Sequence, residues 1–174
     1  MSLTADKMRL ALTLLDALLP RSLTLIVGGG GAMLLAYGFP LATSDIDAVP
    51  KGLSEDELKP LIEKVADELN LSKDWLNSWF QTFTHVLPAD YATRTVEVYS
   101  GTNLTARALG RDDLLLMKCF AHRTKDIPHA RALVAGGANI SFVYDRIDEL
   151  RRQRIPLTDA AADFLDTIVD MESS

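Results

Sequence analysis

The segment Leu25-Ile26-Val27-Gly28-Gly29-Gly30-Gly31-Ala32, with Thr43-Ser44-Asp45-Ile46-Asp47-Ala48-Val49 behind it, carries the strongest structural signal in this chain. Residues 23–27 are β-rich and read as a buried strand. The glycines break the strand, residues 32–37 read as a short helix, and Gly38 and Pro40 end it. Residues 45–49 read as a second strand, stopped by Pro50. Glycines let backbone N–H groups approach an anion closely, and a helix start behind them adds its dipole. Two readings of Gly28 to Gly31 stay open, a phosphate cradle and a tight, crowded turn. The run is not a Walker A loop, because no Gly-Lys-Ser/Thr follows. Nor is it a Gly-x-Gly-x-x-Gly match, since Ala32 and Met33 lead to Leu34 where a third glycine would stand.

On a strand, residues i and i+2 point to one face. Asp45 and Asp47 then lie side by side, with Ile46 directed into the core. Adjacent like charges on a strand are unfavourable unless something positive sits between them. Mg²⁺ binds through carboxylates and substrate phosphates, so the pair predicts a divalent metal held against a nucleoside triphosphate. The bland reading is a solvated strand end. Thr95-Val96-Glu97-Val98-Tyr99 alternates like a strand within residues 93–99. If that strand pairs beside residues 45–49, Glu97 joins the aspartates as a third carboxylate, holding a metal or taking a proton.

The remaining elements follow from period and caps. Residues 5–19 read as a helix stopped by Pro20. Ser54 and Glu57 form a capping box that starts a helix reaching residue 69. A short helix over 72–80 is expected to carry Trp75, Leu76 and Trp79 on one face. Residues 104–109 read as an edge strand. Helices are expected over 112–122, 126–134, 141–152 and 159–171, with a break at Gly136-Gly137 and Thr158 as the last N-cap. This order predicts one α/β (α+β) domain over 1–174, with a core of about 20–134 and C-terminal helices over about 139–172.

The balance of 48% hydrophobic and 24% charged residues is that of a globular chain of 174 residues. A net charge of −6 excludes a general duplex binder. The single cysteine, Cys119, sits in an apolar run and reads as a core residue, which suits a reducing compartment. Charges interrupt every apolar stretch before the length of a membrane span, and residues 10–19 read as an ordinary helix rather than a signal segment, so a cytoplasmic location is expected. Residues 107–131 are the most basic region. Lys118 stands out there, because its neighbours are apolar and a buried cation needs a partner. Arg123, Lys125 and Asp126 are placed to pair locally across a turn.

Leu25 to Ala32 together with Thr43 to Asp47 resembles the signature of the nucleotidyltransferase superfamily. The run Arg111-Asp112-Asp113-Leu114-Leu115-Leu116-Met117-Lys118, with Arg123-Thr124-Lys125-Asp126, resembles its minimal bacterial group that includes AbiEii-type toxins. The resemblance implies a small mixed sheet of the polymerase-beta-like kind. It implies Asp45 and Asp47 on Mg²⁺ with Glu97 completing the site. Gly29 and Gly30 would meet the triphosphate, Ser44 would support it, and Lys118 would reach a phosphate. The implied activity is transfer of a nucleoside monophosphate from an NTP to a hydroxyl of RNA, protein or a small molecule. A toxin–antitoxin setting, with a cognate partner protein, is implied by the same group. The alternative is a catalytically silent domain of this fold that binds nucleotide or protein.

Overall fold

The computed structural model describes residues 2–174, apart from the side chains of residues 79–82. Two compact units divide it, Met1–Thr82 with Arg94–Leu109, and Phe83–Thr93 with Gly110–Ser174. The last crossing of the chain between them falls at Leu109 and Gly110, ahead of the Gly136-Gly137 break.

The first unit holds α1 (Ala5–Leu18), β1 (Leu23–Val27), α2 (Gly29–Tyr37), β2 (Ile46–Lys51), α3 (Glu55–Leu69), β3 (Leu76–Asn77), β4 (Val96–Ser100) and β5 (Leu104–Ala108). Its mixed sheet runs β3-β2-β1-β5-β4. β1 is central, antiparallel to β2 and parallel to β5. The Thr4 hydroxyl caps α1 by accepting the Lys7 N–H, and Met8, Leu12 and Leu15 are buried one turn apart. The capping box of Ser54 and Glu57 starts α3, and Asn70 closes it in the left-handed region. The fold is thus the small α+β arrangement expected, and several local readings change.

Residues 104–109 do not form an edge. β5 lies between β1 and β4, and its Leu104, Ala106 and Ala108 are fully buried, leaving β4 as the edge. Small alanines let α1 pack against β5, a fit that alternation with Thr105 and Arg107 conceals. Pro50 does not stop β2 but pairs opposite Leu25. The Gly28 N–H donates to the Asp47 carbonyl at 2.9 Å, which makes residues 28 and 47 a hydrogen-bonded pair. Alternation then turns the Pro50 nitrogen away from β1, where its missing N–H costs no ladder bond.

Residues 72–80 are not a helix. A turn leads into β3, which pairs parallel with Ile46–Asp47, and a 3-10 segment follows. Trp75 is fully buried, and its indole N–H donates to the Ile62 carbonyl at 2.9 Å. Its own carbonyl accepts from the Ile46 N–H at 2.6 Å, a bond to β2 that a helix would not leave available. The Trp79 side chain lies outside the described residues. β4 begins at Val96, later than expected, because Tyr91–Arg94 form a 3-10 turn, and a bulge between Glu97 and Tyr99 breaks the alternation.

Asp16, half-buried near the end of α1, holds the β4–β5 turn. Its carboxylate accepts the N–H groups of Thr102, Asn103 and Leu104 at 3.0, 2.7 and 2.7 Å. Burial opposes its ionisation, but these three donors outweigh it and hold its pKa below the usual value. Asp16→Ala strands three N–H groups, and a loss of about 1–3 kcal/mol is expected in urea denaturation at pH 7. Gly101→Ala should act on the same contact, since a Cβ there would stand 2.4 Å from an Asp16 oxygen.

The second unit packs α4 (Arg111–Ala121) against α5 (Ile127–Ala135), α6 (Ile140–Arg152) and α7 (Thr158–Glu172). Leu114, Leu115, Leu116 and Cys119 are fully buried. Burial pushes the Cys119 thiol up to about 12, as befits a packing residue. Thr158 is not an N-cap. It is the first residue of α7, and Leu157 occupies the cap in the left-handed region with no side-chain bond. Arg146 on α6 anchors the segment before β4, donating to the Val86 and Leu87 carbonyls at 2.9 and 3.0 Å. Among the described residues no helix is long and apolar enough to cross a membrane.

Candidate active site

The glycine run folds with three of its residues inside a helix. Gly28 is the N-cap of α2 and offers no side chain to close the first turn. Gly29 has φ +55, and a Cβ on it would stand 2.7 Å from Oδ2 of Asp47. A Cβ on Gly30 would meet Leu41 at 3.2 Å and Thr43 at 3.5 Å. The run is therefore crowded, and the crowding group at Gly29 is an acid-pair carboxylate. Gly29→Ala is expected to cost about 1 kcal/mol for its φ alone. It should also displace the Asp47 carboxylate, and thermal unfolding with and without Mg²⁺ reads both effects.

Asp45 precedes β2 and Asp47 lies in it; both are half-buried, while Ile46 between them is fully buried. The strand period thus puts the two carboxylates on one face. Asp45 is oriented from both sides. The Asn77 amide donates to its Oδ2 at 2.8 Å, and the Thr43 hydroxyl lies 3.3 Å from its Oδ1. Ser44 is exposed on the turn. Thr43 had a place in the motif, but nothing in the sequence singles out Asn77. It reaches Asp45 only because β3 pairs with β2, a contact that sequence spacing does not reveal.

Glu97 does not join the pair. β4 runs at the far edge of the sheet from β2, with β1 and β5 between them. Three strand spacings separate Glu97 from Asp47, roughly 14 Å. Cα registry puts Glu97 opposite Arg107, and their charged groups lie 3.7 Å apart. The alternation that singled out Glu97 did not give its strand's neighbour. Arg107 pairs in register with Ile26, and Ile26 with Val49, so it shares the face of Asp47. Its guanidinium donates to Thr95 Oγ1 at 2.8 Å. Among the described residues no group of three or more His, Cys, Asp or Glu side chains is placed to hold a metal. The acid pair fits an ion that takes one or two carboxylates and completes its shell with water and substrate phosphate.

In the second unit Lys118 is 4% exposed and ion-paired. Its Nζ donates to Oδ1 of Asp126 at 2.6 Å and lies 3.2 Å from Nδ1 of His129. Arg123 donates to the other Asp126 oxygen at 2.6 Å. Burial opposes ionisation of Asp126, yet the bonds from His129, Arg123 and Lys118 hold its carboxyl well below the usual range. Burial lowers the Lys118 pKa, and Asp126 partly restores it. The expectation that Lys118 needs a partner is met by Asp126, and the local pairing expected of Arg123 is also present.

No curated protein and no solved structure matches this chain. Residues 7–150 match the family described as nucleotidyltransferase of unknown function (DUF6036), a span that takes in the glycine turn, the acid pair and the Lys118–Asp126 cluster. The chain belongs to that nucleotidyltransferase family.

Proposed function

We propose that this chain is a Mg²⁺-dependent transferase that moves a nucleoside monophosphate from an NTP to a hydroxyl, with Asp45 and Asp47 as the metal ligands. One observation carries the reading: the acid pair shares a face of β2, and its Asp47 carboxylate abuts Gly29 at the open start of α2. The metal, when bound, neutralises triphosphate charge. The chain's own residues supply position. Thr43 and Asn77 fix Asp45, Gly29 leaves room for Asp47, and the start of α2 offers partial positive charge to an anion. The acceptor oxygen attacks the α-phosphorus, its proton leaves to solvent or base, and pyrophosphate departs. A toxin–antitoxin setting belongs to this proposal as the biological use of the same chemistry. The test incubates the protein with each α-labelled ribonucleoside triphosphate and with RNA, protein and small-molecule fractions. Mg²⁺-dependent label transfer with pyrophosphate release is expected, and the labelled fraction names the acceptor class.

The position of Glu97 on the far edge favours one second reading, a domain that binds NTP without turning it over. Metal-dependent NTP binding with no label in any fraction would be its signature.

A further inference from the structure

The other face of β2 carries a second feature. Ala48 and Pro50 point opposite to Asp47, and with Leu25, Leu58 and Leu76 they floor a cleft of about 410 Å³ beside α3. The acid pair and this cleft therefore lie on opposite faces of one strand, and Asn77, which holds Asp45, also lines the cleft.

Three properties of the cleft bear on its occupant. First, it runs along a strand edge that no described strand covers beyond Asp47. β3 pairs with β2 only at Ile46 and Asp47, and β3 ends the sheet. The Ile46 N–H donates outward to Trp75, so the carbonyls of Ala48 and Pro50 also face outward, on the side away from β1. Second, the floor is apolar while the rim is polar. Side chains alternating along an added strand would meet that floor with every second residue. Third, the rim is acidic. Glu55, Asp56, Glu63 and Asp74 stand against Lys59 and Lys73, and Lys73 already pairs with Asp67. Glu55 to Glu57 serve the α3 dipole and cap, but Glu63 and Asp74 have no such role.

We propose that this cleft docks an extended, basic segment of a partner protein, added as a strand along β2 in line with β3. Its N–H groups would donate to the Ala48 and Pro50 carbonyls, its apolar residues would fill the floor, and its lysines or arginines would meet the rim. Pro50 has no N–H to give, so the segment is held by donating more than by accepting.

The probe is an end-capped peptide alternating valine and lysine, compared with one alternating valine and glutamate. Binding to the full chain is followed by NMR shift perturbation and calorimetry. The lysine peptide is expected to bind with shifts at Ala48, Leu58 and Leu76, and the glutamate peptide at least about tenfold more weakly. Asp56→Lys/Glu63→Lys, a change on the α3 surface, should weaken the lysine peptide by about tenfold at low salt. The variant's thermal midpoint verifies that it is folded. Equal binding of both peptides, shifts confined to other surfaces, or an unaltered affinity in the folded variant would overturn the proposal. Spermidine competing fully at equal concentration would overturn it too, in favour of a small-cation site. None of these readouts uses NTP or Mg²⁺, so they stand apart from the catalytic reading.

Discussion

Asp47→Asn is expected to lower Mg²⁺-dependent pyrophosphate release by about 10³-fold or more while leaving the fold intact. The size follows from the role. Charge neutralisation by a bound metal supplies several kcal/mol of transition-state stabilisation, and each ~1.4 kcal/mol is a factor of ten. Asparagine keeps the shape that fits against Gly29, where a Cβ would stand only 2.7 Å from Oδ2, so packing survives. Asp45→Asn should differ. The Asn77 amide donates to Oδ2 at 2.8 Å, and with a neutral amide oxygen as acceptor that bond loses its charge assistance. That variant should lose activity and about 1 kcal/mol of stability. The check pairs turnover with thermal unfolding across a Mg²⁺ titration. A Mg²⁺-induced rise in midpoint in the wild type, absent from Asp47→Asn, ties the loss to the metal. Undiminished turnover in Asp47→Asn would sink the assignment.

The legible part of this protein is the part written in neighbouring residues. The strand at 23–27, the α3 capping box and the facing of Asp45 and Asp47 all rest on spacings of four residues or fewer, and the fold keeps them. What the sequence conceals is which strands lie side by side. Glu97 lies in a strand as expected, but that strand pairs with β5 at the far edge and not with β2. Asn77 lies 32 positions from the Asp45 carboxylate that it holds, in a strand of two residues that no periodicity can reveal. Trp75 shows the tertiary override of a local pattern. Its helical spacing with Trp79 invites a helix, but burying the indole and giving its carbonyl to Ile46 stabilise an extended segment. Asp16 is the instructive omission. Read along the chain, it only interrupts an apolar helix, yet it satisfies three turn N–H groups some 86–88 positions away.

Asp126→Asn is expected to be among the most destabilising single changes in the second unit, by about 3–5 kcal/mol, because it leaves Lys118 charged and buried without its counter-ion. Lys118 is 4% and Asp126 1% exposed, so water cannot replace either partner. Lys118→Met/Asp126→Leu should recover most of that loss, since an apolar pair of similar volume removes both desolvation penalties. The pH dependence follows from the depressed Asp126 pKa. A carboxyl whose folded pKa lies below its unfolded value gives stability that is fully present above the unfolded value, about 3.9. That contribution drains away as pH falls from there toward the folded value. Lys118 works in the opposite sense, because burial lowers its pKa and makes its charge costly in the folded chain at neutral pH. Within this ion pair the acid limb therefore belongs to Asp126, and the stability gap between wild type and Asp126→Asn should narrow below about pH 4 in urea denaturation. The double variant also separates structure from function at Lys118. If the lysine serves only its ion pair, the restored protein binds NTP as the wild type does. If it also reaches a phosphate, stability returns while NTP affinity stays weak.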